Sequence, residues 1–403
     1  MCMLFVCIMM AAGVFTVSRG FISTVSAATT VSAPQAPVMS LRLNGKNVVV
    51  SWSSINEATG FEVYKLYKGV WKRYKTVNSN ASGCLTMTGS YNCSYTWKIR
   101  SFVLRNGIKE YGNFCKSQKI KTPPSGFPSI TYGKAESSKV NIITFNTINK
   151  TCEGYEIWRA EGASGKFKRI TTKKALPESS MTYRDTKISN GNIYFYKVRG
   201  FRDNGGIRAT GNFSAVKAVL PYQTTGIPKA NSGTSVRKTI FIGDSRVVFI
   251  HDYCRLSWGT DTGVYFLCKS GVGFDFLTAL GSNLDSLLDD STNLVFWLGT
   301  NDSYNINKYI SYYRNKIGTW KSKGVKVYIA GVGPVEEDSW LDNEGVEAFN
   351  ASLKAGISGT ALKWIDLYSY LKKMGYSTTD GVHYGKDTSR IIYEFLLRSI
   401  DMI

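Results

Sequence analysis

The chain has 403 residues, 43% of them hydrophobic and 20% charged, which excludes a disordered polymer and exceeds what one ordinary core can organise. Fifty Lys and Arg against 29 Asp and Glu give a formal net charge of +21. With only two histidines, and no cysteine pair at metal-ligand spacing, no metal or other cofactor is expected.

The opening stretch "MCMLFVCIMMAAGVF" is apolar but short for a bilayer span. It runs on to Val25-Ser26-Ala27, small residues at the positions a signal peptidase reads. Residues 1–27 are therefore predicted to be a secretory signal, and no stable membrane span is expected after its removal. Because the first cation, Arg19, follows the apolar stretch, an uncleaved anchor is the alternative. The expected location is outside the cell, secreted or held at the wall. Cys84, Cys93, Cys115, Cys152, Cys254 and Cys268 lie beyond the signal. Cys84 and Cys93 are spaced to bridge a hairpin, free thiols fit equally well, and no disulfide is assigned.

An internal repeat organises the first half. "GFEVYK" at 60–65 returns as "GYEIWR" at 154–159, "WKIRSF" at 97–102 as "YKVRGF" at 196–201, and "GNF" at 112–114 recurs at 211–213. These offsets are one domain long. Within each copy short runs alternate, Val48, Val50 and Trp52 against Val49 and Ser51, with Gly and Asn turns between. Such runs predict an antiparallel β-sandwich. Each copy resembles a fibronectin type III domain, with an early "VVVSWS" or "NIITFN" strand and a late Tyr/Trp-Lys-Val/Ile-Arg strand. The predicted domains are 37–123 and 125–221.

Charge divides the chain. Residues 1–237 hold 33 Lys and Arg against 10 Asp and Glu, or +23, whereas residues 238–403 carry −2. Scattered surface lysines serve solubility. They also attract polyanions, so an anionic cell-wall polymer is the expected partner of the basic modules, with an acidic polysaccharide or a membrane surface as alternatives. No nucleic-acid motif is present, and nucleic acid is not expected as a partner.

Residues 222–237 are rich in Gly, Pro, Ser and Thr and read as a linker. Beyond it, "KTIFIGDS", "VYFLCKSG", "NLVFWLGTND" and "VKVYIAGVGP" are continuous apolar runs ending in Gly or polar residues. "FDFLTALGSNLDSLL", "INKYISYYRNKIGTWKSKG" and "TSRIIYEFLLRSI" have helical spacing. Strands buried on both faces, alternating with helices, predict a parallel α/β sheet over 238–403. Ligands bind beyond the carboxyl ends of such strands, where the polar residues would gather.

Gly243-Asp244-Ser245 closes the first run. The tripeptide by itself reads first as a turn and helix cap; the second reading is a hydroxyl presented at the sheet's rim. A nucleophilic serine needs a base. His251, six residues on, lies ~9 Å further along a helix and rotated ~240° from its start, pointing away from the rim. His383 lies in the polar loop "TDGVHYG", with Asp380 three residues before it.

Together these blocks resemble the SGNH (GDSL-type) hydrolases. "GDS" matches the serine block, "KSGVG" the glycine block, "GTND" the Gly-x-Asn-Asp block and "DGVH" the Asp-x-x-His block, in order over about 165 residues. The resemblance implies a three-layer α/β domain with a flavodoxin-like parallel sheet. It implies Ser245 as nucleophile with His383 and Asp380 completing a triad. The implied oxyanion hole is the Ser245 and Gly271 amides and the Asn301 carboxamide, with Gly273 an alternative to Gly271. Arg246 stands where the family carries leucine, a change that removes no catalytic group. The function implied is a secreted serine esterase acting on short O-acyl, particularly O-acetyl, esters of polysaccharide or cell wall. The alternative is an adhesion or wall-binding protein whose hydrolase domain is incidental.

Overall fold

The computed structural model describes residues 32–148, 151–162, 165–189, 191–222, 237–258, 263–337 and 339–400. The predicted signal lies outside these residues, as does all of the predicted linker except its two end residues. Among the described residues, no helix is long and apolar enough to cross a membrane.

The repeat becomes a repeated pair of antiparallel sheets. In the second copy, Ser180–Asp185, Val140–Asn146 and Ser129–Ser137 form a three-stranded sheet. Lys168–Lys174, Gly154–Glu161, Tyr194–Asn204 and Ile207–Phe213 form a larger one, to which Lys217–Val219 adds. Ile143 and Phe145 of the first sheet share a core with Tyr155, Ile157, Tyr196 and Val198 of the second. Apolar alternation thus closes a sandwich. Buried inside it, the Tyr196 hydroxyl donates to Asp185 and accepts from Asn141.

In the first copy the four strands Val70–Val77, Gly60–Tyr67, Ser94–Arg105 and Ile108–Phe114 run in the same order. Met39–Asn44, Asn47–Trp52 and Gly83–Met87 form its three-stranded sheet. Val48, Val50 and Trp52 are buried as the alternation requires, but Val49, expected on the opposite face, is buried too. None of the six described cysteines forms a disulfide.

The C-terminal domain is built on five parallel strands: β1 (Lys238–Gly243), β2 (Val264–Cys268), β3 (Thr292–Trp297), β4 (Lys326–Ala330) and β5 (Lys363–Ile365). Their order, β2-β1-β3-β4-β5, is the flavodoxin-like one. Among the described residues, six α-helices flank them: α1 (Ser245–Tyr253), α2 (Phe274–Asp285), α3 (Ile306–Ser322), α4 (Asn343–Ile357), α5 (Leu367–Met374) and α6 (Lys386–Ser399).

Alternate strand residues serve opposite layers. Ile240, Ile242, Leu294, Phe296, Val327 and Ile329 pack with α2, α3 and α4. Phe241, Val295, Trp297, Tyr328 and Ala330 pack with α1, α5 and α6. Both faces of the sheet are therefore apolar, and three layers result. The chain leaves β1 toward one face and β3 toward the other, which opens a crevice between their carboxyl ends.

Candidate active site

The turn from β1 into α1 is tight because Gly243 has no side chain. A Cβ there would lie 2.1 Å from Val247 Cγ2 and 2.6 Å from the Trp297 carbonyl. Asp244 caps α1, its carboxylate accepting from the Arg246 amide at 3.0 Å. Both readings of Gly-Asp-Ser therefore hold: the segment is a turn and cap, and it sets Ser245 at the first position of α1.

Ser245 meets the second half of the site across 138 residues of sequence. Its Oγ lies 2.7 Å from His383 Nε2, and His383 Nδ1 lies 2.7 Å from Asp380 Oδ2. Asp380 Oδ1 also accepts from the His383 and Val382 amides at 2.8 and 3.1 Å. Burial pushes the Asp380 carboxyl upward, but these hydrogen bonds and the imidazole together outweigh it and hold it at about 2. Asp380 is thus a carboxylate near neutrality, so Nδ1 carries the ring proton and Nε2 is left to accept from the serine. The Phe249 ring stacks on the imidazole at 5.0 Å and fixes its plane.

His251 is elsewhere. It rides α1 with its ring against Phe266, 5.1 Å between centroids, and burial pushes its pKa down.

The two glycines of "KSGVG" are not interchangeable. A Cβ on Gly273 would lie 2.3 Å from the Asp302 carboxyl carbon, so that glycine exists to let Asp302 approach. Gly271 has φ +69° and nothing within 4 Å of the place a Cβ would occupy. Asp302 holds the block by accepting from the Phe274 amide at 2.7 Å and the Tyr309 hydroxyl at 2.8 Å. Asn301 joins it too, its Nδ2 donating to the Val272 carbonyl at 2.8 Å. Its carboxamide has two N–H groups, so one remains for a ligand.

Arg246 was missed as a site residue. It is 2% exposed, and Nε and Nη1 donate to the Val382 and Gly333 carbonyls at 3.2 and 3.1 Å. Its guanidinium also lies 5.0 Å from the Tyr384 ring centre. It therefore clamps the Asp380–His383 loop to the serine's own turn. Burial pushes the Asp244 carboxyl upward, and the positive charge of Arg246 opposes that shift. The signal in the sequence was an arginine in the otherwise apolar first turn of a core helix.

No family model matches the chain. One curated relative, an amylopullulanase of Thermoanaerobacter thermohydrosulfuricus, is 28% identical over 110 residues, which is 27% of this chain. The chain spans 7% of that protein's length. Among solved structures, the FN1–FN3 domains of chicken CNTN1 are 20% identical, with TM-score 0.31, over 48% of this chain and 68% of theirs. A member of the lipolytic protein G-D-S-L family from Veillonella parvula is 18% identical, with TM-score 0.32, over 41% of this chain and 98% of that one. A lipase/acylhydrolase from Enterococcus faecalis is 16% identical, with TM-score 0.32, over 41% and 95%.

Proposed function

We propose that the chain is an exported serine esterase that removes short O-acyl groups, O-acetyl above all, from polysaccharide or cell wall. The observation that carries this reading is the continuous line from Ser245 Oγ through His383 to Asp380, with 2.7 Å at each step. In this mechanism Oγ attacks the ester carbonyl while its proton passes to Nε2, and Asp380 stabilises the imidazolium. The tetrahedral oxyanion accepts from the Ser245 and Gly271 amides and the remaining Asn301 N–H. One such side-chain donor is worth about 3 kcal/mol of barrier. Collapse breaks the ester C–O bond, and the imidazolium proton leaves with the alcohol. Water, deprotonated by the same histidine, then attacks the acyl-serine and releases the acid.

The basic modules give the enzyme a polyanionic address. Most of their cations exceed what their few carboxylates can pair, and an anionic wall polymer is the partner such a surface attracts.

Release of acetate from O-acetylated glycans, run beside short and long acyl esters, tests the reading. Ser245→Ala and His383→Ala should each lower turnover by several orders of magnitude with the circular dichroism spectrum unchanged, whereas His251→Ala should alter stability alone. Parental turnover in folded Ser245→Ala would remove the mechanism.

A further inference from the structure

Two large aromatic side chains of the C-terminal domain stand out in solvent, Tyr304 at 83% and Trp340 at 68% exposure. An isolated exposed ring needs no explanation. These two are not isolated. Tyr304 lies in the turn Ser303–Asn305 that follows Asn301 and Asp302 at the end of β3. Trp340 lies in the segment that follows β4, the next strand of the sheet. Ser303 and Leu341, the residues next to them in sequence, meet Gly299, Val332, Val346 and Phe349 around one void too tight for a water molecule. The two rings are therefore carried by loops whose neighbouring residues, Ser303 and Leu341, come together beside the Asn301 block.

Both loops are pinned to the catalytic groups. The Asn305 amide donates to the Asp302 carbonyl at 2.8 Å, and Asn305 Nδ2 to its carboxylate at 3.0 Å. On the other loop, the Glu336 amide donates to the Gly381 carbonyl at 2.9 Å, and the Glu336 carboxylate accepts from the Thr378 amide. Ser339, next to Trp340, lies so close to Gly381 that a Cβ there would be 3.1 Å from Ser339 Cβ. Gly381 is two residues before His383. Solvent-exposed aromatics on rigid loops at a catalytic rim make a preorganised surface, because little side-chain freedom is lost when they are covered.

We propose that Trp340 and Tyr304 form a carbohydrate subsite that stacks on a pyranose ring of the alcohol half of the ester. This rests on the esterase reading above. The acyl carbonyl must lie among Ser245, Gly271 and Asn301, so the alcohol half projects toward the rim. The void between the loops is closed to water, so what this rim offers a ligand is the exposed ring faces and not an enclosing pocket. A pyranose has apolar C–H faces and hydroxyls around its edge, which suits a flat ring bordered by polar loop residues.

The test uses the full chain and four esters: O-acetylated xylo-oligosaccharide, O-acetylated chito-oligosaccharide, ethyl acetate and methyl decanoate. In Trp340→Ala and Tyr304→Ala, the ratio of kcat/KM on at least one acetylated oligosaccharide to that on ethyl acetate should fall about tenfold, mainly through KM. Trp340→Phe should restore most of it. An unchanged ratio for both oligosaccharides overturns the subsite, as does a selective loss on methyl decanoate, which would place an acyl chain on the rings. Calorimetric titration of the deacetylated oligosaccharides into the Ser245→Ala chain reads the subsite without turnover. There, binding that Trp340→Ala abolishes supports it, and absence of binding overturns it. A parent chain inert toward all four esters would sink the esterase reading and leave calorimetry to decide the subsite.

Discussion

Arg246 shows what a single residue adds to a site whose reacting groups come from distant parts of the chain. Ser245 is fixed by β1 and α1, whereas His383 sits in a loop held by hydrogen bonds together with the packing of Phe249 and Tyr384. The Val382 carbonyl on Arg246 Nε, one residue from the histidine, is one of those bonds. Arg246→Leu should therefore lower kcat by about 10²-fold with KM little changed, as a misplacement near 1 Å does. It should also lower stability, because the positive charge that opposes the effect of burial on Asp244 is lost. Arg246→Lys keeps the charge but not the fork to two carbonyls, and should recover stability more than rate. A steady-state KM and kcat pair with a melting curve for each variant decides it, and parental values for Arg246→Leu would dismiss the clamp. Ser245, Asp380, His383 and Asn301 were legible because their spacing within short blocks is itself distinctive. Arg246 was not, because its partners at 333 and 382 are distant in sequence and are backbone atoms, which carry no residue signature. Gly271 and Gly273 could not be separated for a similar reason: what separates them is Asp302, 29 residues on from Gly273.

Elements of the sandwich half carry a device that the repeat made visible only in outline. "GFEVYK" and "GYEIWR" place Glu62 and Glu156 on the strand face that alternation assigns to solvent, yet they are 0% and 1% exposed. Long neighbours roof them over. Arg73, Arg100 and Lys109 surround Glu62, and Arg169, Arg199 and Arg208 surround Glu156. Beside them Lys98 lies between Trp71 and Phe114, at 4.5 and 3.8 Å from the ring centres, and Lys197 lies 4.2 Å from both Phe167 and Phe213. Burial pushes each carboxyl upward, but the hydrogen bonds from the surrounding cations and ring donors outweigh it and hold both at about 2, against an ordinary 4.5. Each folded domain thus prefers the ionised form. The stability this confers is complete above the unfolded value and drains away as pH falls from about 4.5 toward 2. Denaturant midpoints measured from pH 7 to pH 2 should fall over that window. Glu62→Gln and Glu156→Gln should be less stable at pH 7, with three cations left around a neutral group, and should lose part of the acid dependence. A flat profile in the parent would show that the carboxylates are not held down. Other elements escaped the sequence for want of length or contrast. β5 is three residues, Lys-Trp-Ile, and α4 buries the polar Asn350 beside Val346, Phe349, Leu353 and Ile357, which interrupts its apolar face.

At the scale of the whole molecule, the charge split of +23 before residue 238 and −2 after it joins two unlike surfaces on one chain. The linker reading implies that these halves are separable, and one strand argues otherwise. Tyr194 and Tyr196 point into the second sandwich, whereas Phe195, on the opposite face, is 0% exposed and shares an apolar cluster with Ile193, Ala160, Ile240, Leu267 and Leu294. Ala160 is the register partner of Phe195 in the sheet, so a small residue opposite a large one forms the patch. The sequence signal was an aromatic residue at a solvent-phase position, indistinguishable there from a chance exposed ring. Because the second sandwich is docked by its apolar face, wall targeting has to be tested on the full chain. The Ser245→Ala chain should pellet with purified cell wall that retains its anionic polymers and stay in solution with wall stripped of them. Exposed charges are screened over ~8 Å at physiological ionic strength. Pelleting should therefore weaken steadily and be lost by several hundred millimolar salt. Lys166, Lys168 and Lys174 are exposed on or beside one strand of the second sandwich, and changing all three to Glu should shift the loss to lower salt. The same substitutions should leave turnover of soluble esters at the parental rate and slow release from insoluble wall, where binding raises local concentration. Pelleting that ignores both salt and the anionic polymers would reduce the basic modules to spacers.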